Sequence, residues 1–224
     1  MSFNTIGDVQ DSLDNAFGWR RFEMQALISA MKSAEKQSPN SPLARALARS
    51  CAALIYAHWE GFVREACQCY VEYVAKRRLR YDELNDGLLR TALLTLSKRL
   101  TIGDEASQVA LFEVVRRPEF ARARIPKNAM VDTKSNLRYA VLCEILQSVG
   151  MSIDAFELKD KLIDRSLCDV RNTIAHGREL FPTPNEISVL HSEVVAMMQS
   201  IRDMIMAAAR GQLYRTNVNV TPST

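Results

Sequence analysis

Between Asp8 and Lys36, apolar side chains return at Val9, Leu13, Phe17, Met24, Leu27, Ile28 and Met31, the three-to-four spacing that lines one side of a helix with buried residues. The stretch "QSPNSP" interrupts the pattern, and Ser41 followed by Pro42 supplies an N-cap and a first-turn proline for a second helix. That helix carries Leu47, Cys51, Leu54, His58, Phe62, Ala66, Cys69 and Tyr73 and is predicted to reach about Arg78, a length of roughly 55 Å with Gly61 as a place to bend. Further helices are predicted over about Asp82 to Leu100, Asp104 to Arg116, Asn136 to Val149 with Gly150 as terminator, and Leu158 to His176. The last is the best marked: Thr183, Pro184, Asn185 and Glu186 form a capping box ahead of the stripe Ile187, Leu190, Val194, Met198, Ile201, Ile205 and Ala208. Period-two alternation is missing from this series, so the expected fold is all-α.

Two regions fall outside the periodicity. "RRPEFARARIPKNAMVDTKS" carries two prolines and several cations, which reads as an irregular connection, and "QLYRTNVNVTPST" reads as a frayed or disordered tail over 212–224. The 224 residues, 47% hydrophobic and 25% charged, suit one helical domain with its core over about 8–211.

Composition narrows the chemistry. A formal charge of +3 is compatible with an anionic partner but below the basicity of a dedicated nucleic-acid binder. Five cysteines, an odd number without C-x-x-C spacing, point to reduced thiols and a cytoplasmic setting. No apolar run approaches the roughly 20 residues needed to span a bilayer, so no membrane role is expected. The three histidines are scattered and no H-E-x-x-H occurs, so neither a metal nor another cofactor is expected.

"DVRNTIAHG", Asp169 to Gly177, holds the remaining candidate chemistry. On a uniform helix with Ile163 at 0°, Leu167, Val170 and Ile174 fall within about 40° of it, whereas His176 lies near 220° with Asn172 and Asp169 on its side. Arg171 projects near 80°, beside Asp164, so the arginine and the histidine do not converge by helical geometry alone. Histidine before a C-terminal glycine and arginine on a solvated flank are also ordinary ways to end a helix. His58 and His191 sit on apolar stripes, which favours packing roles. Glu60 is spaced to pair with Arg64 and is a supporting candidate if the fold brings it to the motif, as is Asp169. Arg116, Arg117, Arg122, Arg124 and Lys127 either track an RNA backbone or decorate a solvated connection.

"CDVRNTIAHGRE", ahead of a capped final helix, resembles the R-x4-6-H signature of HEPN domains, and "LIYAHWEGFVREACQCYVEYV" with "KSNLRYAVLCEILQSVGM" resembles helices of the MAE-type HEPN subgroup. The resemblance implies a helical bundle with a four-helix core plus additional helices. It implies a metal-independent endoribonuclease acting on RNA from a homodimer cleft, as a toxin or defence effector. On that expectation Arg171, His176 and Asn172 are catalytic, and an antitoxin or defence-system protein is a possible partner. The alternative is a catalytically inactive HEPN module that binds RNA, nucleotide or protein. Some HEPN toxins carry a tyrosine two positions after the histidine that an antitoxin modifies; here Arg178 stands there, which argues against that control.

Overall fold

The computed structural model describes residues 3–101, 103, 105–117, 121–125 and 131–216. Among them, helices occupy Ile6–Gln37 (α1), Pro42–Ala75 (α2), Asp86–Thr101 (α3), Glu105–Arg116 (α4), Tyr139–Ser148 (α5), Val170–Ala175 (α6) and Pro184–Arg210 (α7). A π-helical segment, Leu162–Asp169, runs directly into α6. The all-α expectation holds, since the described residues form two isolated β-bridges and no longer pairing. None of the described helices is long and apolar enough to cross a membrane.

The mutual packing of α1, α2 and α7 makes the body of the bundle, and the π-helical segment with α6 lies against α2. Helix α2 is the axis of the core. Tyr56, Trp59, Phe62 and Tyr70 are all among its fully buried side chains, and residues on nearly every side of it are covered. A helix surrounded in this way needs apolar residues beyond a single stripe, which is why its sequence pattern is less one-sided than that of α7. The predicted caps form as written: Ser41 accepts from the Ala44 N–H at 3.2 Å, and Thr183 and Glu186 close a reciprocal capping box.

Three predicted boundaries move for local reasons. The third helix does not begin at Asp82; Tyr81–Glu83 form a short 3-10 turn, and Asn85 starts α3 by accepting from the Leu88 N–H at 3.0 Å. Helix α5 begins at Tyr139 rather than Asn136, because Lys134 and Ser135 take left-handed φ values of 51° and 56°. The first part of the tail is docked, not frayed. The buried Tyr214 meets Tyr73 edge-on at 6.1 Å, and the Asn85 and Thr216 N–H groups bond to the Tyr214 and Glu83 carbonyls at 2.9 Å. Residues 217–224, the rest of that predicted tail, lie outside the described residues.

The largest departure is the motif helix. The i→i+5 bonding of Leu162–Asp169 uses more residues per turn than an α-helix, so positions beyond it are rotated about the axis relative to a uniform wheel. Ile163 and Cys168, five apart, are therefore both fully buried, although the wheel separates them by about 140°. Val170 and Ile174 remain at the edge of the core, and Arg171 turns inward from its predicted flank.

His191 is half-buried on α7, and burial, reinforced by the positive charges of Arg21 and Lys32, holds its pKa below the usual imidazole value of 6.5. A base with a depressed folded-state pKa binds fewer protons than the unfolded chain at mildly acid pH, so stability is full above about 6.5 and lost as the pH falls below it. The melting temperature is expected to drop between pH 7.5 and 5.5. That drop should be smaller in His191→Gln, as read by thermal denaturation in low-salt buffer. The carboxylates with lowered values, Asp8, Glu83 and Glu186, act in a separate window below about 4.5.

Candidate functional site

Arg171 lies on α6, its side chain is 23% exposed, and its guanidinium is held from three directions. Its Nη2 donates to the Ser135 carbonyl at 3.0 Å, the Tyr56 ring lies 4.1 Å beneath it, and the Glu60 carboxylate is 3.8 Å away. The ring and carboxylate come from adjacent turns of α2 and hold the cation by cation–π and ionic attraction. Glu60 is only 14% exposed, and its other oxygen is 3.6 Å from Arg64, which in turn donates to the buried Thr133 hydroxyl at 2.5 Å. The sequence pairing of Glu60 with Arg64 is thus present and extends to Arg171.

The same region ties the 135–139 turn to the motif. The Tyr56 hydroxyl accepts from the Leu137 N–H at 2.7 Å and donates to the Asn136 Oδ1 at 3.4 Å. Burial pushes the Tyr56 phenol up to about 12, which keeps it protonated and able to donate. Cys168 donates its thiol to the Leu137 carbonyl at 3.3 Å, Asp164 accepts from the Tyr139 N–H at 2.7 Å, and Asp169 pairs with Arg138 at 2.6 Å. Asp164 thereby satisfies one of the open N–H groups at the start of α5. Burial also raises the Cys168 thiol to about 11, and Cys51, Cys67 and Cys69 are raised likewise, so these sulfurs are packing groups at neutral pH.

His176 is the C-cap of α6. Its own N–H bonds to the Asn172 carbonyl at 3.0 Å, Gly177 follows with φ +70°, and the Gly177 and Arg178 N–H groups return to the Ile174 and Thr173 carbonyls at 3.0 and 3.1 Å. This is a Schellman ending, and the left-handed position explains the glycine. The His176 ring is exposed and makes no hydrogen bond or ion pair with another described residue. The Asn172 side chain is also unbonded among the described residues, so Asn172, Arg171 and His176 share one short helical segment with no hydrogen bond or ion pair between their side chains.

The other sequence candidates lie elsewhere. Arg116 and Arg117 are exposed at the end of α4, and Arg122 and Arg124 are exposed next to the 79–81 segment. None of the four bonds to a described residue of the motif helix, and Lys127 lies outside the described residues. His58 is buried, 2.8 Å from Glu23 and edge-on to Trp19; burial lowers its pKa against the opposing pull of Glu23. The residues missed from sequence are Tyr56, Arg138 and the Ser135 carbonyl; Arg64 is expected there only as the partner of Glu60. Tyr56 joins Glu60 and Arg64 in an i, i+4, i+8 series in "YAHWEGFVR", a pattern that does not reveal what it faces.

No curated protein and no solved structure matches the chain. A family model does: that of the MAE-type HEPN domains, over residues 9–214, a span that takes in α2, α5, the motif helix and α7. By that match over nearly its whole length, the chain belongs to the MAE-type HEPN family.

Proposed function

We propose that the protein is a metal-independent endoribonuclease that cuts RNA at a cleft formed between two copies of the chain. The observation carrying this reading is the division of labour along α6: an exposed imidazole on a rigid helix end and, one and a half turns earlier, a guanidinium held in place by Tyr56 and Glu60. His176 takes the proton from a ribose 2'-hydroxyl as its oxygen attacks the adjacent phosphorus. The O2'–P bond forms, the P–O5' bond breaks, and a proton passes to the departing 5' oxygen. In a homodimer the two copies of His176 divide proton removal and delivery. Arg171 donates one N–H to Ser135 and has others left for the phosphoryl oxygens, where charge builds in the transition state. Asn172 lies on the same turn and contacts the phosphate or the imidazole once RNA is bound. Glu60 and Asp169 act through Arg171 and Arg138 as positioning groups. Such an enzyme serves as a cytoplasmic toxin or defence effector restrained by a partner protein.

Purified protein incubated with single-stranded RNA in the presence of a chelator is expected to leave fragments ending in 2',3'-cyclic phosphate and beginning with 5'-hydroxyl. DNA of the same sequence should stay intact because it lacks the attacking hydroxyl. Intact RNA under these conditions would leave the second reading, a HEPN module that binds RNA or protein without cutting, which the internal engagement of Arg171 favours.

A further inference from the structure

A cleft of about 480 Å³ opens on the side of the motif helix lined by Arg165, Ser166 and Val170, and is closed by Phe181 and the first turns of α7, including Asn185 and Val189. Its lining is mainly apolar with a few polar groups, the composition of a site for a flat organic ligand. The loop carrying Phe181 is fixed: Arg49 of α2 donates to the Arg178 and Leu180 carbonyls at 2.8 and 2.9 Å, and Arg45 and Arg49 lie 5.3 and 5.5 Å from the Phe181 ring centroid. The ring is nonetheless 49% exposed. Arg165, Ser166 and Asn185 make no side-chain bond to another described residue, so their polar groups are available to a ligand. Phe181 follows His176 by five residues, and its Cα lies at most about 18 Å from that of His176 by chain length.

We propose that this cleft binds a nucleobase of the RNA strand, within a few nucleotides of the phosphate presented to His176. An aromatic ring backed by arginines is a stacking surface suited to any base, and a solvated arginine on the rim suits the connecting phosphate. Asn185 and Ser166, able to donate and accept, meet the base edge. The occupant is an RNA strand because the charges at the cleft, Arg165 in its lining and Arg45 beside the Phe181 ring, are cationic while the one carboxylate lining it, Glu186, is spent on the α7 capping box. The assignment rests on the ribonuclease reading above and adds to it a place where substrate sequence is read.

The test measures binding in a His176→Ala background, so that no cleavage is needed. A mixed-sequence single-stranded RNA decamer and an abasic ribose-phosphate decamer are titrated by fluorescence anisotropy. Phe181→Ala is expected to weaken the RNA decamer about tenfold, the contribution of one stacked base. It should leave the abasic strand unchanged, with Phe181→Trp restoring the affinity. Arg165→Ala should weaken both strands and lower the salt slope by about one. Unchanged RNA affinity in Phe181→Ala, or equal weakening of both strands, overturns the base site, whether or not the intact protein cuts RNA. A base-dependent loss in a protein whose unsubstituted form never cleaves keeps the site and removes only the ribonuclease reading.

Discussion

His176→Ala is expected to lower single-turnover RNA cleavage by about 10² to 10⁴, the usual contribution of a positioned acid or base, while leaving the fold almost untouched. The two halves of this expectation come from the same geometry. The ring is exposed and bonds to no other described residue, so truncating it opens no cavity and orphans no partner. What the residue contributes to the fold is its backbone: the N–H that bonds to the Asn172 carbonyl, followed by the Gly177 and Arg178 N–H groups that close the helix. Alanine keeps that N–H. A charged ring at a helix C-terminus adds at most about 1 kcal/mol through the macrodipole, so chemical denaturation should shift by no more than that. Cleavage kinetics and a urea melt on the same preparation check the two halves together, and light scattering checks that the variant associates as the unsubstituted protein does. Undiminished cleavage by a folded, equally associated His176→Ala protein would remove His176 from the reaction and the proposed mechanism with it.

The contrast with Arg171 marks how far the sequence could be read. Element order, the caps of α2 and α7, the stripe of α7 and the glycine that ends α6 depend on residues within a few positions of one another, and local spacing reveals them. The family resemblance came from the same kind of signal, three stretches that are each contiguous in the chain. The surroundings of Arg171 did not, because the groups that hold it come from distant parts of the chain: Tyr56 and Glu60 on α2 and Ser135 in a left-handed turn. A uniform wheel also failed on its own terms, since the wide turns of Leu162–Asp169 changed which residues shared a face. Cys168, read only as one of five reduced thiols, is fully buried and bonds the turn that Arg171 also holds. Helix type was the missing variable, and no residue in "LIDRSLCD" announces it. The Asn85–Tyr214 docking is invisible to local spacing for the same long-range reason, which is why that spacing predicts a loose start to the tail.

Arg171→Ala is expected to differ from His176→Ala by damaging both stability and activity. It removes the bond to the Ser135 carbonyl, the cation above Tyr56 and one of the two cations beside the mostly buried Glu60. Lys134 and Ser135 hold left-handed φ values that L-residues disfavour, so the turn depends on the bonds that pin it. Losing one, together with the partner of a carboxylate that is only 14% exposed, should cost about 1 to 3 kcal/mol in urea denaturation. Cleavage should fall by about 10² to 10³, the scale set by removing one donor to a developing oxyanion. Arg171→Lys separates the roles: its ammonium can answer Glu60 and recover part of the stability, but it lacks the planar fork that spans Ser135 and a phosphate together, so activity should stay well below that of the unsubstituted protein. Combining Glu60→Gln with Arg171→Ala should cost less than the sum of the two single changes, because the carboxylate stranded by the arginine's loss is no longer charged. Full activity in Arg171→Lys would reduce the guanidinium to a point charge, and unaltered stability in Arg171→Ala would mean that the contacts to Ser135, Tyr56 and Glu60 do not hold the turn.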